Sequence, residues 1–194
     1  GTERPTSDVV LEPGNWSLDN FGETLIATIT NGKSFTWDAG ASNPRTNRAT
    51  LMTGAPTATG LTIVSETDRH LFHLGTETTI GNAGTQDPMF IRFSDQESTS
   101  VYTPTSTNTA GTFQLDKGNK IVAAVQGKDY ILILTDQAAY VAQFVGPPFT
   151  FSIRQVGTNC GCLGQHAVAF AQGAVYWMGT SGGFFQYDGT VKQL

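Results

Sequence analysis

The chain has little charge, few cysteines and no long apolar run, and each shortage narrows what it can be. Charged residues make up 14% of its 194 residues, and Lys+Arg (11) are outnumbered by Asp+Glu (16). The formal charge is −5, and no basic run occurs anywhere. Binding that works by neutralising phosphates needs clustered Lys and Arg, so sequence-specific nucleic-acid recognition is not expected. No segment approaches the roughly 20 consecutive apolar residues of a membrane span, and Gly1-Thr2-Glu3-Arg4-Pro5 lacks the apolar segment of a signal peptide. A soluble protein without membrane insertion is therefore expected.

Cysteine occurs twice, as Cys160 and Cys162 in C-G-C. Alternate residues of an extended chain point to one face, so both thiols share a side. With no other cysteine and no paired histidine nearby, a closed zinc site within one chain is not expected, and the preferred reading is two free thiols in a reducing compartment. A strained disulfide or a redox pair is the alternative. No cofactor and no metal site is expected.

Segments of helical period longer than about two turns are also missing. What remains is Gly (22 residues), Thr, Ser, Asn and Gln, interrupted by short alternating or continuous apolar runs, a pattern of strands and turns. The clearest strands are residues 25–29, 34–37, 61–65, 70–74, 89–93, 120–126, 130–135, 139–145, 151–156, 167–171, 174–178 and 183–187. Aligned, they show a repeat: an apolar strand, a tight polar turn, and a strand carrying aromatics. The copies are Leu25–Ile29 with Phe35–Asp38, Leu71–Leu74 with Met89–Ser94, Ile131–Thr135 with Tyr140–Phe144, and Val175–Met178 with Phe184–Gly189.

Copies begin roughly 40 to 60 residues apart, which brackets the blade length of propeller repeats. An all-β fold of propeller-like repeated antiparallel sheets is predicted, with a β-sandwich as the alternative. Residues 1–194 read as a single β-repeat domain with units near 16–60, 61–112, 113–166 and 167–194, and as a fragment of a longer protein. Two stretches, 39–60 and 98–112, break the rhythm as long loops, for which contact with neighbouring subunits is the preferred role.

Candidate chemistry is thin. His70 and His73 form H-x-x-H, but in a strand they face opposite sides. Cys162 and His166 could pair as nucleophile and base, yet no third orienting residue is suggested. Asp87, Asp95, Glu97 and Asp136 stand near strand ends without a glycosidase pattern, and capping of turn amides is the expected role. The glycines of 157–161 and 182–183 precede strands and read as hairpin or bulge residues with positive φ. No catalytic residue is assigned. Tyr102, Pro147, Pro148, Phe149, Trp177, Phe184 and Phe185 are the candidate interface residues, and Trp37, Tyr102 and Trp177 are aromatics that could stack on sugar rings.

Five segments together, Asn15–Gly22, Asp68–Phe72, Asp87–Glu97, Gly157–Gly161 and Val175–Gly179, resemble a family of tailed-bacteriophage virion proteins. These are the tail tubular, nozzle or head-completion (stabilisation) proteins of short-tailed phages and related prophages. The resemblance runs from about Trp16 to Asp188. It implies a virion structural protein, made in the bacterial host cytoplasm and located in the tail or neck. Its partners would be the portal and tail adaptor, and the full-length protein would form a homo-oligomeric ring around the DNA channel. It implies no catalytic residues, and it makes this chain shorter than typical members. A net negative, Lys-poor wall would let DNA pass without adhering. A glycan- or receptor-binding tail propeller and a propeller-type polysaccharide hydrolase acting through Asp95 and Asp136 are the competing expectations.

Overall fold

The computed structural model describes residues 14–40 and 46–194; the N-terminal residues 1–13 and part of the first long loop lie outside the described residues. The described chain contains sixteen strands, one short 3₁₀ turn at Ala83–Thr85 and no α-helix. The strands form four separate four-stranded antiparallel sheets, each made from consecutive strands. The first sheet is β1 (Trp16–Phe21), β2 (Thr24–Ile29), β3 (Ser34–Asp38) and β4 (Thr50–Leu51). The second is β5 (Thr59–Ser65), β6 (His70–Thr76), β7 (Phe90–Phe93) and β8 (Gly111–Gln114). The third is β9 (Ile121–Gln126), β10 (Ile131–Thr135), β11 (Ala138–Gly146) and β12 (Thr150–Thr158). The fourth is β13 (Val168–Ala171), β14 (Ala174–Met178), β15 (Phe184–Tyr187) and β16 (Val191–Gln193).

The propeller-like expectation holds, and the sandwich alternative gives way to four stacked sheets. The first strand of each sheet lies beside the first strand of the next: β1 against β5, β5 against β9, β9 against β13. No comparable contact returns from β13 to β1. The sheets are thus blades of an open arc with their first strands innermost.

Three apolar clusters correspond to the three junctions between blades. Phe21, Ile26, Val64, Leu71, Met52, Ala55 and Tyr102 fill the first. Leu61, Ile63, Phe72, Leu74, Ile91 and Phe93 meet Ile131, Ile133, Tyr140 and Phe151 in the second. Ala123, Leu132, Leu134, Ala139 and Val141 meet Val175, Trp177, Phe185 and Tyr187 in the third. Central blades bury both faces, which is why β6 and β10 are buried at every position instead of alternating.

The two long loops turn back onto their own chain. Tyr102 from one and Met52 and Ala55 from the other complete the first junction, while residues 46–51 and 103–106 of these loops are exposed. Gly54 joins them closely: its φ is +73°, and a Cβ there would collide with the Ser100 carbonyl. Of the glycines expected at positive φ, Gly182 (φ +84°) fits, whereas Gly161 is present because a side chain would overlap the Asp136 carbonyl and the Gln137 amide.

Candidate interaction surfaces

Of the seven interface candidates, Tyr102, Trp177 and Phe185 are interior residues, which corrects the expectation for them. Tyr102 is 1% exposed; its hydroxyl donates to the Thr99 carbonyl (3.0 Å), and its ring stands edge-on to His73 at 4.9 Å. Burial pushes its phenol above the ordinary range. Trp177, also 1% exposed, donates from Nε1 to the Cys160 carbonyl (2.7 Å) and stacks on Phe185 at 5.6 Å. Aromatic positions recur in the repeat because they fill wedges between blades, and sequence spacing alone does not say which face of a sheet they occupy.

The other four are on the surface. Pro147, Pro148 and Phe149 form the tip of the β11–β12 hairpin, across a cis Pro147–Pro148 peptide, with Phe149 78% exposed and Val145 beside it also exposed. Phe184 is 56% exposed on the far face of the fourth blade.

A further apolar surface, on the first blade, was not singled out in the sequence. Strand register places Trp16 and Leu18 opposite Ile29 and Ala27, Ala27 opposite Phe35, Leu25 opposite Trp37, and Phe35 opposite Leu51. Residues paired across a ladder share a side, so these eight side chains make one face of the first blade. The other face, with Ser17, Asp19, Phe21, Ile26 and Thr28, packs on the second blade: Ser17 Oγ lies 3.2 Å from Thr62 Oγ1, and Asp19 Oδ2 accepts from the Val64 amide at 2.7 Å. Leu18, Leu51 and Trp16 of this face are exposed and the other five half-buried, with Trp37 Nε1 donating to the Asn47 carbonyl at 3.2 Å and Gly14 lying close against Ile29. The sequence signal was Trp16-x-Leu18 opposite the Leu25-x-Ala27-x-Ile29 alternation, which disappears if β1 is read as a turn.

The polar groups hold loops, not ligands. His70 is fully buried, ringed by Phe93, Phe144 and Phe151 at 5.1–6.3 Å. Its Nδ1 lies 2.7 Å from Asp68 Oδ1 and its Nε2 3.0 Å from Thr109 Oγ1. The order carboxylate, imidazole, hydroxyl is that of a nucleophile triad. However, Thr109 Oγ1 donates its single proton to Asp95 Oδ1 at 2.7 Å and accepts the Gln96 amide at 2.9 Å. With the hydroxyl so engaged and the imidazole enclosed, the arrangement fastens the 95–110 loop to the second blade. Burial works to raise the Asp95 carboxyl, but hydrogen bonds from Thr109 and the Gln96 amide hold it below its ordinary range.

His73 faces the opposite side, as expected of H-x-x-H in a strand. Its Nδ1 lies 3.1 Å from Thr59 Oγ1, while its Nε2 has no partner among the described residues. Burial, with the facing Arg92 cation, pushes its pKa down to about 3. Arg92 donates to the carbonyls of Tyr102, Glu77 and Thr78 at 2.9–3.2 Å. The buried Glu77 carboxylate accepts the Thr57 hydroxyl and the amides of Thr57 and Gly81. Both oxygens of the Glu77 carboxylate thus have donors, as a buried charge requires, while Arg92 Nε has no partner among the described residues.

The remaining expected groups behave as turn chemistry. Asp87 accepts from the Met89 amide, and Asp136 from Asn119 and the Lys120 amide; hydrogen bonds hold Asp136 below the ordinary range against the opposing effect of its burial. Glu97 pairs with Arg69 at 3.1 Å. Cys160 and Cys162 are unbonded, each 1% exposed, and burial pushes both thiols up. Cys162 Sγ donates to the Gly164 carbonyl, while His166 is exposed, so the two do not form a nucleophile pair. Among the described residues no cluster of His, Cys, Asp or Glu has metal-binding geometry, and no helix is long and apolar enough to cross a membrane.

Where the four blades converge, Asn15, Asn31, Gln86, Lys120 and Gln165 rim a shallow cleft of about 360 Å³. No protein-family model matches this chain, and no curated protein sequence matches it.

Proposed function

We propose that this chain is a structural component of a short-tailed bacteriophage tail or neck, acting through protein–protein assembly contacts. The observation that carries the reading is the outer face of the first blade, eight apolar side chains without a charge among them, of which Trp16, Leu18 and Leu51 are exposed. Monomeric soluble proteins rarely leave so continuous an apolar surface open, and such patches mark sites of association. The hairpin tip at Pro147–Phe149 and the exposed Phe184 add further contact points. The five segments that resemble the virion family supply the biological setting, and the net charge of −5 is compatible with a wall beside DNA.

A glycan-binding role has less support, because two of the three aromatics expected to stack on sugars are interior. A hydrolase role through Asp95 and Asp136 has less still, since both carboxylates are occupied by backbone amides. The test is mass spectrometry and antibody labelling of purified virions. The chain should be present in stoichiometric amount and label the tail vertex. Particles that lack it while remaining infectious sink the proposal.

A further inference from the structure

The β11–β12 hairpin outruns its own sheet. β10 pairs with β11 only as far as Ala142, opposite Ile131, whereas the β11–β12 ladder continues with Gln143 opposite Ser152, Phe144 opposite Phe151 and Gly146 opposite Thr150. Residues 143–146 thus belong to a two-stranded ribbon that stands roughly 13 Å beyond the third blade, at ~3.3 Å per residue. Phe144 and Phe151 brace the base of this ribbon against the second blade, 5.7 and 5.1 Å from the His70 ring. At the tip, Phe149 is the most exposed large apolar side chain among the described residues, and Val145, Pro147 and Pro148 around it are exposed as well.

The tip has the chemistry of a surface that can leave water cheaply. No charged residue occurs between Asp136 and Arg154. Pro147 and Pro148 carry no N–H, Gly146 and Thr150 pair with each other, and the Phe151 amide donates to the Phe149 carbonyl at 2.6 Å. Most of the tip's N–H groups therefore need nothing from outside, which suits a medium that offers no acceptors. The patch is too small to hold a protein partner by itself, since a stable interface draws about 20–30 residues from each side. Shallow insertion into lipid asks only for a few apolar side chains with an aromatic among them. Beside the base of the ribbon, the β9–β10 turn carries Lys128 and Asp129, one charge of each sign.

We infer that this hairpin tip is a lipid-contacting wedge: Phe149, with Val145 and the two prolines, dips into the interfacial layer of a zwitterionic bilayer without crossing it. A membrane span needs a long apolar run, whereas a wedge that stops at the headgroup boundary does not. A zwitterionic surface is the occupant because the tip carries no cation to pair with anionic headgroups, and a chain of net charge −5 is repelled by them. The braced base holds the ribbon in place, so little ordering is lost on contact. One tip holds less firmly than a single acyl anchor, so binding should show only at millimolar lipid. This role goes beyond the assembly reading above and does not depend on it.

The test is co-sedimentation of the full 194-residue chain with phosphatidylcholine vesicles across a millimolar lipid series. The bound fraction should rise with lipid. Phe149→Asp should lower the partition coefficient at least ~10-fold, the loss expected when one phenyl ring no longer leaves water. Val145→Asp should lower it too, and Phe184→Asp, at the exposed Phe of the fourth blade, should leave it unchanged. Unchanged near-ultraviolet circular dichroism shows that the variants are folded. A wild type that stays in the supernatant at every lipid concentration overturns the inference. So does a Phe149→Asp chain that partitions like the wild type, since lipid is then met elsewhere, and so does a Phe184→Asp chain that loses as much, since the binding is then general adhesion. If vesicles leave the chain in solution while Phe149→Asp is excluded from assembled particles, the tip is a protein contact and the inference falls. Absence of the chain from virions, by contrast, refutes the assembly reading and leaves the vesicle result standing.

Discussion

Acid should unfold this protein through His73, and the size of the effect follows from its surroundings. The ring is fully buried, its Nε2 has no acceptor, and Arg92 lies opposite it on the neighbouring strand. Its pKa is therefore pushed from 6.5 in the unfolded chain to about 3 in the folded one. Between those values the unfolded chain takes up a proton that the folded chain does not, so lowering the pH favours unfolding by about 1.4 kcal/mol per pH unit. At pH 4.5 stability should lie about 2.7 kcal/mol below its neutral plateau on this account alone. Asp95 and Asp136, held below the ordinary carboxylate range, add their own loss only at lower pH. The assay is urea unfolding at half-unit steps from pH 7.5 to 4.5 for the wild type and His73→Gln, which retains an amide able to bond Thr59 and does not titrate. The difference between the two stability curves removes the other titrating groups. It should be level near pH 7.5 and approach a slope of one proton below about pH 5.5; a flat difference throughout would falsify the account.

Three further outcomes follow from single contacts. Gly161→Ala should destabilise strongly, by about 2 kcal/mol or more, because the new Cβ meets backbone that has no room to move. Gly164→Ala, with open space around it, should stay within about 0.5 kcal/mol, and equal melting shifts in the two would contradict the close-approach argument. Trp177→Phe removes the donor to the buried Cys160 carbonyl and should cost about 1–3 kcal/mol in denaturant unfolding. Thr109→Val breaks the links to His70, Asp95 and Gln96 together. Amide exchange should then quicken across 95–110 with little change in the central strands β6 and β10, and uniform quickening would show that the fastening is not local.

The repeat was legible in sequence because each copy carries its own alternation and turn residues. The second sheet runs from Thr59 to Gln114, two residues past each end of the unit read near 61–112. The twelve expected strands are all present. The four that were missed, β1, β4, β8 and β16, are innermost or outermost strands. Three of these are no longer than four residues, and β1 carries Asp19 and Asn20, which read as turn residues when its partner is unknown. The capping role of Asp87 was likewise readable, since a turn Asp bonds amides one or two residues away in any fold, whereas Asp136 bonds the Asn119 and Lys120 amides, which only the fold brings beside it.

What the sequence determined alone is local: all-β structure, the number of repeats and the turn chemistry. Which aromatics are interior and which are free was decided by tertiary structure. Both kinds sit at the same places in the repeat, and exposure depends on whether a neighbouring blade lies against that face. Trp177 is buried because the third blade covers it, whereas Trp16 meets Phe35 of its own sheet and stays 45% exposed. The candidate surface is therefore a property of where the stacking of blades stops, which no single strand encodes.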